Sequence, residues 1–490
     1  MTLRELLLGL AGHELHADAE LQVSAVEHDS RRVGPGALFV AIQGMQLDGH
    51  EFVQAALRKG ALAIVSERPA PAEIPWVRVL DARQALAHLA AAQHGHPAER
   101  LTLVGVTGTN GKTTTTYLID AALRAAGRRV GLLGTIQYRI GERLSEAART
   151  TPEADDLQAL LAEMVAADCS HAVMEVSSHS LQLQRVHACP FGVAVFTNLT
   201  RDHLDFHGDM ERYFAAKRVL FDTLLRPEGT AVINADDDRA EQLRRGARGR
   251  VWTFGIDRPA DFKADDLRLS LTGTRFRATT PLGVLEVQTP LLGRFNVENV
   301  LAALAAALAA GVAPEHALVG IASVRGVPGR LERVEGGQAF TVVVDYAHTD
   351  DALKNLLETV RGLLPRRVIT VFGCGGDRDR SKRPLMGAVA ARLSDVVVVT
   401  SDNPRSEPPE AIIAEIERGM GGRSLGERVA LVDRREAIAR ALELAGPGDV
   451  VVIAGKGHET YQTVRDRNLP FDDRLVAREL LERLAPRGRR

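Results

Sequence analysis

Short apolar runs alternate with polar or glycine-rich segments along almost the whole chain, and many of the runs are rich in β-branched residues. Runs of this kind are typical of buried strands, and the stretches between them carry apolar residues at helical spacing. A strand that is regularly followed by a helix predicts parallel sheets covered by helices. The pattern therefore predicts an α/β fold.

The length of the chain bounds the number of domains. Its 490 residues suggest roughly three domains at about 150 residues each. The first, 1–97, ends in the polar segment HGHPAER; the second spans 98–331 and the third 332–490. We expect a small N-terminal α/β domain, a central P-loop ATPase-like domain built on a parallel sheet, and a C-terminal Rossmann-like α/β domain.

The segment Leu101–Leu123 joins a predicted strand, a loop with two glycines and a helix in immediate succession. Gly108 and Gly111 let the backbone turn without a Cβ penalty, and the helix opens at Thr113. Backbone N–H groups at such a helix start converge where the helix dipole favours negative charge. Lys112 would reach the outer phosphates of a nucleotide, and the Thr113 hydroxyl would bind Mg²⁺. The loop, GTNGKTT, is a variant, because this chain has valine where the common motif has its first glycine.

Polar side chains follow two further predicted strands of the middle region. His171–Val176 carries Glu175 near its end, and a carboxylate there could meet Mg²⁺ held at the phosphate loop. Gly192–Phe196 is followed by a loop with four titratable side chains: Asp202, His203, Asp205 and His207. A lone residue at such a place is more often a helix cap or a surface pair. Four together favour a ligand site, since open parallel sheets bind ligands at the carboxyl ends of their strands.

Several other polar residues leave two interpretations open. The loop with Asp29, Ser30 and Arg31, before the predicted strand Ala37–Ile42, is either solvated or in contact with a ligand. Arg330, beside a Pro-Gly turn, is either a linker residue or a phosphate clamp, and its place at a domain boundary favours the clamp.

Two predicted helices carry polar residues whose commonest roles are structural. Lys217 lies in a helix with apolar residues at helical spacing, where a lysine usually extends along the surface to water. Asn296 and Asn299 lie at the start of a strongly helical run, where asparagine is usually a cap.

Four strands are predicted in the third domain, and each ends in a polar signature: Phe340–Asp345, Val368–Phe372, Val396–Thr400 and Val450–Ala454. The polar side chains that these ends would gather at one sheet edge are Asp345, His348, Arg378, Asn403, Arg405, His458 and Glu459. Arginine and carboxylate together suit an amino acid, whose carboxylate a guanidinium binds in bidentate fashion. The run GCGG lacks the spacing of a dinucleotide fingerprint, so NAD binding is not expected.

Composition excludes several classes of function. The net charge of −2, with 25% charged residues, gives no basic field for nucleic acid. Cys169, Cys189 and Cys374 are widely separated, so neither a disulfide framework nor a zinc site is indicated and a reducing cytosol fits. The apolar runs Leu6–Leu10 and Leu301–Ala310 are too short for a signal peptide or a membrane span. We expect a cytoplasmic monomer that acts on small molecules, with neither nucleic acid nor membrane as partner.

The motifs occur in an order that resembles the Mur ligase family, and within it the UDP-N-acetylmuramoyl-tripeptide synthetases. In chain order they read GTNGKTT, MEVSSH, NLTRDHLDFHGD, GRFNVENV, PGRLERV, DYAHT, GCGGDRDRSKRP, DNPR and GKGHE. The resemblance covers all three predicted domains and nearly the whole length. It implies an ATP-dependent amide ligase of peptidoglycan precursor synthesis, which adds the third stem residue to UDP-N-acetylmuramoyl-L-alanyl-D-glutamate through an acyl phosphate.

The resemblance also implies roles for individual residues. Those expected to bind ATP are Gly108, Thr109, Asn110, Gly111, Lys112, Thr113, Thr114, Asn299, Arg330 and Asp345. Those expected around Mg²⁺ are Thr113, Glu175, His203 and Lys217, of which the last matches the family's carboxylated lysine. Lys112, Glu175, His203 and Lys217 are therefore the implied catalytic residues.

The implied substrate contacts lie in all three predicted domains. The nucleotide-sugar substrate would meet Ser30, Met45, Gln46, Leu47, Thr150, Thr151, Ser177 and Arg185. The amino acid would meet Arg378, Asp402, Asn403, Pro404, Arg405, Gly455 and Glu459. The family often has glutamine where this chain has Leu183, which puts any contact there in doubt.

The segment DNPR resembles the form associated with meso-diaminopimelate. Diaminopimelate has a second carboxylate that lysine lacks, and Arg405 could bind it in bidentate fashion. A pocket built around that arginine would leave a buried charge unpaired when lysine enters. We therefore expect meso-diaminopimelate as the substrate.

Two other functions share part of these features. A ligase that adds glutamate to folate would share the ATP loop but should lack the first domain and the DNPR segment. A nucleotide-dependent switch without chemistry would keep the loop but would not need Lys217 or the arginine pocket.

Overall fold

A computed structural model describes residues 1–44, 47–69, 74–421 and 426–484. Two of the expected substrate contacts, Met45 and Gln46, lie outside the described residues. The chain forms two compact units. The first unit contains Met1–Asp265, Ala278–Leu285 and Glu298–Ile321, and the second contains Asp266–Arg277, Glu286–Val297 and Ala322–Arg490.

The N-terminal part of the first unit is a five-stranded sheet with helices on both faces. Its strands are β1 (Glu14–His16), β2 (Ala25–Glu27), β3 (Ala37–Val40), β4 (Ala63–Ser66) and β5 (Trp76–Arg78). Its helices are α1 (Leu3–Leu7), α2 (Val53–Arg58) and α3 (Ala82–Gln93), with 3₁₀ turns at Gly49–Phe52 and Pro97–Arg100. The order is β1-β5-β4-β3-β2, parallel except for β1.

Strand β3 shows how this small sheet is built from its sequence. All four of its residues are buried, and they alternate between two apolar clusters on the two faces of the sheet. Leu38 and Val40 pack in one cluster, while Ala37 and Phe39 pack in the other. The predicted strand Ala37–Ile42 is confirmed, although it ends at Val40.

The larger sheet of the first unit carries the predicted phosphate loop. The strands of this part are β6 (Thr102–Thr107), β7 (Val130–Leu133), β8 (Gln137–Ile140), β9 (Arg143–Glu146), β10 (His171–Glu175), β11 (Phe191–Phe196), β12 (Leu225–Asn234) and β13 (Arg250–Gly255). The helices are α4 (Lys112–Ala125), α5 (Ala154–Ala166), α6 (Ser178–Gln182), α7 (Leu204–His207), α8 (Met210–Val219) and α9 (Ala240–Gly246), with a π-helical turn at Leu220–Leu224.

These strands are hydrogen-bonded in the order β13-β12-β11-β6-β10-β7-β8-β9. The strands from β13 to β7 are parallel. The predicted strand before the phosphate loop is confirmed as β6, and His171–Val176 and Gly192–Phe196 are confirmed as β10 and β11, all to within a residue or two at their ends. Strands β8 and β9 add an antiparallel edge that the sequence did not predict. Because β6 lies between β10 and β11, the loops that follow these three strands meet at one edge.

Residues 262–323 contain elements whose residues belong to both units. They are β14 (Phe262–Ser270), β15 (Gly273–Thr280), β16 (Gly283–Thr289), α10 (Arg294–Ala309) and α11 (Pro314–Ser323).

The second unit contains a six-stranded sheet and a separate hairpin. Its strands are β17 (Glu332–Arg333), β18 (Thr341–Asp345), β19 (Val368–Phe372), β20 (Val396–Val399), β21 (Glu427–Ala430), β22 (Val450–Ala454), β23 (Tyr461–Val464) and β24 (Arg467–Pro470). Its helices are α12 (Asp350–Gly362), α13 (Lys382–Leu393), α14 (Pro409–Gly419), α15 (Arg434–Leu444) and α16 (Asp473–Leu484).

The sheet order in this unit is β17-β18-β22-β19-β20-β21, parallel except for β17. The four predicted strands are confirmed as β18, β19, β20 and β22, and β17 and β21 extend the sheet at its edges. Separate apolar clusters cover the two faces, as Val343 and Val452 on one side and Val344 and Val451 on the other illustrate.

Two further expectations concern the described residues as a whole. All three cysteines are buried free thiols, as their spacing predicted. Among the helices that the structure describes, none is both long enough and apolar enough to cross a membrane.

Candidate active site

The loop after β6 requires glycine at two positions. Gly108 has φ +149° and Gly111 has φ +85°, a backbone region that other residues rarely adopt. A Cβ at Gly108 would overlap the hydroxyl of Thr197, and a Cβ at Gly111 would overlap the amide oxygen of Asn299. The turn is therefore sharply bent, and the side chains of Thr197 and Asn299 pack closely against it.

Helix α4 begins directly after this turn, with Gly111 at its N-cap. An anion bound there would meet first-turn N–H groups and the positive end of the helix dipole. The side chain of Lys112 bends over the loop, where its Nζ donates hydrogen bonds to the carbonyl oxygens of Gly108 at 2.9 Å and Thr109 at 2.7 Å. Thr113 and Thr114 are buried in the first turn. This geometry is that of a phosphate-binding loop.

The segment that follows β11 holds the loop from its other side. The N–H of Asn110 donates to the side-chain oxygen of Asn198 at 2.9 Å, and the hydroxyl of Thr197 donates to the carbonyl oxygen of Asn110 at 2.6 Å. The hydroxyl of Thr109 lies 3.1 Å from that of Tyr213 on α8 and accepts the N–H of Thr200 at 2.9 Å. The loop is thus held in shape before any ligand binds.

Glu175 lies beside the first turn of α4. Its Oε2 accepts the hydroxyl of Thr113 at 3.0 Å and that of Thr135 at 3.1 Å, while Oε1 accepts the N–H of Thr135 at 2.8 Å. A carboxylate and a hydroxyl so close together are hard oxygen donors of the kind that Mg²⁺ prefers. No group of three or more metal-ligating acidic, histidine or cysteine side chains occurs within the described ranges. A hydroxyl and a carboxylate so placed fit a magnesium ion that keeps water and phosphate oxygens as its other ligands.

Lys217 is buried in this site, which contradicts its interpretation as a surface lysine. Its side chain on α8 is 1% exposed, and Nζ donates to the carbonyl oxygen of Gly108 at 2.9 Å. Nζ also lies 4.5 Å from the ring centre of Tyr213. Burial, with the nearby charge of Lys112, lowers the pKa of Lys217 well below its usual value. Tyr213 and Lys217 are four residues apart and share one face of the helix, but periodicity alone does not show that this face meets the phosphate loop.

The histidines of the next segment cluster around His179 on α6. The ring centre of His179 lies 4.7 Å from that of His203 and 5.6 Å from that of His207. His207 is buried and hydrogen-bonds through Nε2 to the hydroxyl of Ser178 at 2.9 Å. Burial lowers the pKa of His203, with Asp202 opposing the shift, so this imidazole is neutral near pH 7 and can act as a ligand. Asp205, the fourth residue predicted for this group, is exposed.

The expected nucleotide-sugar contacts around the larger sheet of the first unit form one connected group. The hydroxyl of Thr150 lies 3.1 Å from that of Thr135, and the hydroxyl of Thr151 donates to the backbone oxygen of Glu175 at 2.8 Å. The N–H of Ser177 donates to the hydroxyl of Thr151 at 3.2 Å. A cation completes the group, as Arg185 donates to the backbone oxygen of Thr151 at 3.2 Å.

Arg185 is buried and lies 2.6 Å from the carboxylate of Glu153. Its Nε is also buried and has no hydrogen-bond partner within the described part of the chain. A buried donor without a partner is costly, so a ligand oxygen at this position would stabilise the site.

Asn299 contacts the phosphate loop rather than capping α10. It is the sixth residue of that helix, and its side-chain oxygen accepts the hydroxyl of Thr115 at 3.3 Å. Asn296 is also inside the helix, where its side chain donates to the backbone oxygen of Leu292 at 2.8 Å. The capping interpretation is wrong because the helix begins at Arg294, earlier than expected.

The expected contacts of the N-terminal sheet lie on its loops. Ser30 is partly exposed between Asp29 and Arg31, whose side chains form an ion pair with a closest distance of 2.6 Å. This pair lowers the pKa of Asp29 to about 2. Leu47 is 65% exposed. An exposed leucine on a loop suits contact with a ligand, and the choice between solvated loop and ligand contact stays open for Ser30.

In the second unit, Asp345 at the end of β18 lies near Arg330, which comes just before β17. The carboxylate of Asp345 accepts the N–H of Leu331 at 2.7 Å and that of Ala347 at 2.8 Å. Burial raises the pKa of Asp345, and the charge of Arg330 opposes this shift. The guanidinium of Arg330 stacks over the ring of Tyr346 at 5.0 Å from its centre.

His348 and His458 complete this group, because their rings lie 4.6 Å and 4.9 Å from the ring of Tyr346. Burial, with the charge of Arg330, lowers the pKa of His458 to about 4.

Part of the predicted amino-acid pocket forms a second group in this unit. The side-chain nitrogen of Asn403 donates to Oε2 of Glu459 at 2.8 Å. The guanidinium of Arg405 donates to the backbone oxygen of Gly376 at 2.8 Å, which holds it against the loop after β19. The Oδ2 of Asp402 is buried without a hydrogen-bond partner in the described ranges and lies beside Gly455.

The remaining two predicted pocket residues belong to the same loops. Arg378 is exposed after β19, and the backbone oxygen of Pro404 packs against Gly376. Six residues of the predicted ring thus fall into the two groups described here, and Arg378 is exposed on the loop after β19.

The sequence analysis missed four residues that shape these sites. Thr135 is hydrogen-bonded to Glu175, and Tyr213 to Thr109. Asn198 accepts the N–H of Asn110, and Lys456 donates to both Asn403 and Glu459. A signal existed for three of them, since Asn198 opens the motif NLTRDHLDFHGD. Tyr213 lies one helical turn before Lys217, and Lys456 lies within the motif GKGHE.

Three family models match the chain in succession. The family described as "Mur ligase family, catalytic domain" matches residues 22–94. The one described as "Mur ligase middle domain" matches residues 106–307, and "Mur ligase, glutamate ligase domain" matches residues 329–457.

Two curated proteins named UDP-N-acetylmuramoyl-L-alanyl-D-glutamate--2,6-diaminopimelate ligase are similar over nearly their whole length. The one from Solibacter usitatus is 51% identical over 468 residues, which cover 95% of this chain and 94% of the relative. The one from Geobacillus kaustophilus is 48% identical over 484 residues, which cover 98% and 99%.

Solved structures agree with the sequence matches. A structure of a UDP-N-acetylmuramoyl-L-alanyl-D-glutamate--2,6-diaminopimelate ligase is 35% identical and covers 99% of both chains with a TM-score of 0.74. A MurF ligase from Thermotoga maritima in complex with ADP is 21% identical, covers 95% of this chain and 98% of its own, and has the same fold with a TM-score of 0.63. The predicted three-part α/β architecture is confirmed, and the chain belongs to the Mur ligase family.

Proposed function

We propose that the protein is the ATP-dependent ligase that joins meso-diaminopimelate to UDP-N-acetylmuramoyl-L-alanyl-D-glutamate in peptidoglycan precursor synthesis. The observation that carries the proposal is the 51% identity, over 95% of the chain, to a relative named for this reaction. The arrangement of the phosphate loop, Glu175 and Lys217 supports it, because an amide ligase must bind a nucleotide and offset charge on its phosphates. The predicted domain limits of 1–97, 98–331 and 332–490 stay part of the proposal.

The nucleotide would bind at the start of α4. Loop N–H groups from Gly108 to Thr114 would cradle its phosphates, and Lys112 would leave the loop carbonyls to reach the outer phosphate. Asn299, whose side chain packs against Gly111, would approach the adenine base of ATP. The ATP-binding roles that the resemblance implies for Arg330 and Asp345 stay part of the proposal.

Thr113 and Glu175 would hold Mg²⁺, with His203 nearby. The ion supplies positive charge that offsets the charge of the transferring phosphoryl group. Lys217 in its amine form would not suit a cation site, whereas a carbamate on the same nitrogen would be an anion. The lowered pKa of Lys217 supports this step, because only the neutral amine reacts with CO₂.

The reaction follows from the weakness of a carboxylate as an acyl donor. The γ-phosphoryl group of ATP would pass to the side-chain carboxylate of the D-glutamyl residue, which gives ADP and an acyl phosphate. A neutral amino group of diaminopimelate would then attack the acyl carbon. Phosphate would leave as the C–O bond breaks and would take up the proton that the nitrogen loses. Lys112 would stabilise the charge that develops on the oxygens in both steps.

Phosphate release by the purified protein tests this proposal. The assay contains Mg·ATP, UDP-N-acetylmuramoyl-L-alanyl-D-glutamate and meso-diaminopimelate, and each is omitted in turn. We expect rapid release only when all are present. Release that does not depend on the acceptor or the amino acid would favour a nucleotide switch instead.

A further inference from the structure

A buried lysine lies behind the predicted amino-acid pocket. Lys456 follows β22 and its side chain is 0% exposed. Its Nζ donates one hydrogen bond to Oδ1 of Asn403 at 3.1 Å and another to Oε2 of Glu459 at 2.9 Å. The ring of Tyr461 lies on a further side, with its centre 5.7 Å from Nζ. A buried ammonium is retained only when it is paired, and here its partners are two residues of the pocket.

These contacts fix the orientation of the Asn403 amide. Its Oδ1 accepts hydrogen bonds from Lys456 Nζ and from the N–H of Thr463, the latter at 2.9 Å, so both neighbours are donors. Its nitrogen donates to Oε2 of Glu459 at 2.8 Å. A flipped amide would place its NH₂ group against two donors and its oxygen against a carboxylate. Lys456 and the N–H of Thr463 therefore select one orientation together.

The same contacts distinguish the two oxygens of Glu459. Oε2 accepts hydrogen bonds from both Lys456 and Asn403, so it faces the protein. For Oε1, the described part of the chain offers no hydrogen-bond donor, and the side chain of Glu459 is 19% exposed. The carboxylate thus presents one oxygen outward while the other is held from behind.

The other charged groups nearby have partners of their own. Arg434, which is buried beneath the loop after β20, pairs with Asp473 at 2.7 Å and donates to the backbone oxygen of Ser401 at 3.2 Å. Arg405 is held by the backbone oxygen of Gly376. Neither is hydrogen-bonded to Glu459, so Lys456 is the cation that orients this carboxylate.

We propose that Lys456 is a positioning residue of the amino-acid pocket, which holds Glu459 so that Oε1 accepts the ammonium group of the amino-acid substrate. The inference rests on the proposed function and deepens it. Lys456 does not touch the substrate and acts through Asn403 and Glu459. Without it, Glu459 would lose its cationic partner and rotate toward solvent, and binding of the amino acid would weaken selectively.

The test compares Lys456→Met with wild type in steady-state assays in which each substrate is varied. Loss of a hydrogen bond to a charged group predicts a rise of about 10- to 100-fold in KM for meso-diaminopimelate. KM for ATP and for the nucleotide-sugar substrate should change less than about twofold, because Asn403 and Glu459, to which Lys456 donates, are not among the residues expected to bind either of them. Lys456→Gln, which keeps a neutral donor, should show a smaller rise and carries the test if Lys456→Met does not fold. Lys354→Met, at a partly exposed lysine of α12, is the matched control.

The double variant Lys456→Met/Glu459→Gln separates positioning from general loosening of the structure. If Lys456 acts through Glu459, removing it from the Glu459→Gln protein adds little further change in KM. The inference would be overturned if the two substitutions raised KM for diaminopimelate independently, so that their effects multiplied in the double variant. An unchanged KM for diaminopimelate in Lys456→Met would also overturn it, and either result would leave the ligase proposal intact. A wild-type protein without turnover of diaminopimelate would instead overturn the proposed function, and the inference with it.

Discussion

The Nζ of Lys217 donates a hydrogen bond of 2.9 Å to the carbonyl oxygen of Gly108, in the loop where a nucleotide phosphate would bind. A fully buried lysine beside a second lysine, Lys112, is costly as an ammonium, so the neutral amine is favoured. This relationship explains how the site could take up CO₂ and acquire the anion that a metal site needs.

Substitution of Lys217 by methionine should therefore reduce kcat by about 100- to 1000-fold, the scale seen when one charge-stabilising group is removed from an active site. Carbon NMR of wild type supplied with ¹³C-bicarbonate should show a carbamate resonance, and Lys217→Met should lack it. Lys354→Met serves as the control for loss of a lysine. A fully active Lys217→Met enzyme would show that the carbamate is not needed.

Gly111→Ala should lower stability by about 1–3 kcal/mol, because alanine at φ +85° is strained and its Cβ would overlap the Asn299 amide. KM for ATP should rise as the loop shifts. Gly127, with φ +73° and open space around its Cβ position, offers a matched control for the backbone conformation alone.

Gly127→Ala should cost less stability, about 1 kcal/mol, and leave KM for ATP unchanged. Thermal unfolding and ATP titrations measure both quantities. Equal losses in the two variants would mean that the contact between Gly111 and Asn299 has no influence on the loop.

Arg405→Met should raise KM for meso-diaminopimelate by about 10- to 100-fold through loss of a charge-assisted contact to the second carboxylate. The guanidinium is held toward the loop after β19 by Gly376, which leaves its fork oriented before substrate binds. Turnover of L-lysine, which lacks that carboxylate, should change little. The exposed Arg392 on α13 provides the control variant Arg392→Met. A parallel loss with both amino acids would argue against carboxylate recognition by Arg405.

His28 should make folding stability depend on pH above about 6.5. Burial lowers the pKa of His28, but its hydrogen bond of 2.7 Å and charge interaction with Asp155 outweigh this and raise it above 6.5. Because the folded protein binds this proton more tightly than the unfolded chain, the stabilisation is fully present below pH 6.5 and is lost as pH rises through the folded pKa.

Chemical denaturation of wild type from pH 6 to pH 9 should show this decline. His28→Asn should remove most of it and cost about 1–2 kcal/mol at pH 6. His16→Asn, at an exposed histidine, should leave the decline in place. A decline that persists unchanged in His28→Asn would assign the pH dependence to other groups.

The strands and the phosphate loop could be predicted because their signals are local. The apolar run before Gly108, the two glycines and the helix that follows are adjacent in sequence, and the structure keeps that order. The four strands of the third domain were predictable for the same reason. The edge strands β8, β9, β17 and β21 are short and partly exposed, so their sequences carry no apolar run to reveal them.

The side-chain partners could not be predicted in this way, because they depend on packing between distant segments. Asn403 follows β20 and Glu459 follows β22, with β19 between them in the sheet, so their contact depends on strand order. The burial of Lys217 depends on which face of α8 meets the loop. Resemblance to the Mur ligases suggested Lys217, but only the structure brings it to Gly108.

Direct comparison of meso-diaminopimelate and L-lysine tests the central claim most sharply. Purified protein, Mg·ATP and UDP-N-acetylmuramoyl-L-alanyl-D-glutamate are incubated with each amino acid, and kcat/KM is measured with the product identified by mass spectrometry. The account predicts a diaminopimelate-containing tripeptide product and a kcat/KM at least about 100-fold higher than with lysine. Equal or faster conversion of lysine would contradict the account of the Arg405 pocket, and no amide product with either amino acid would contradict the proposed ligase reaction.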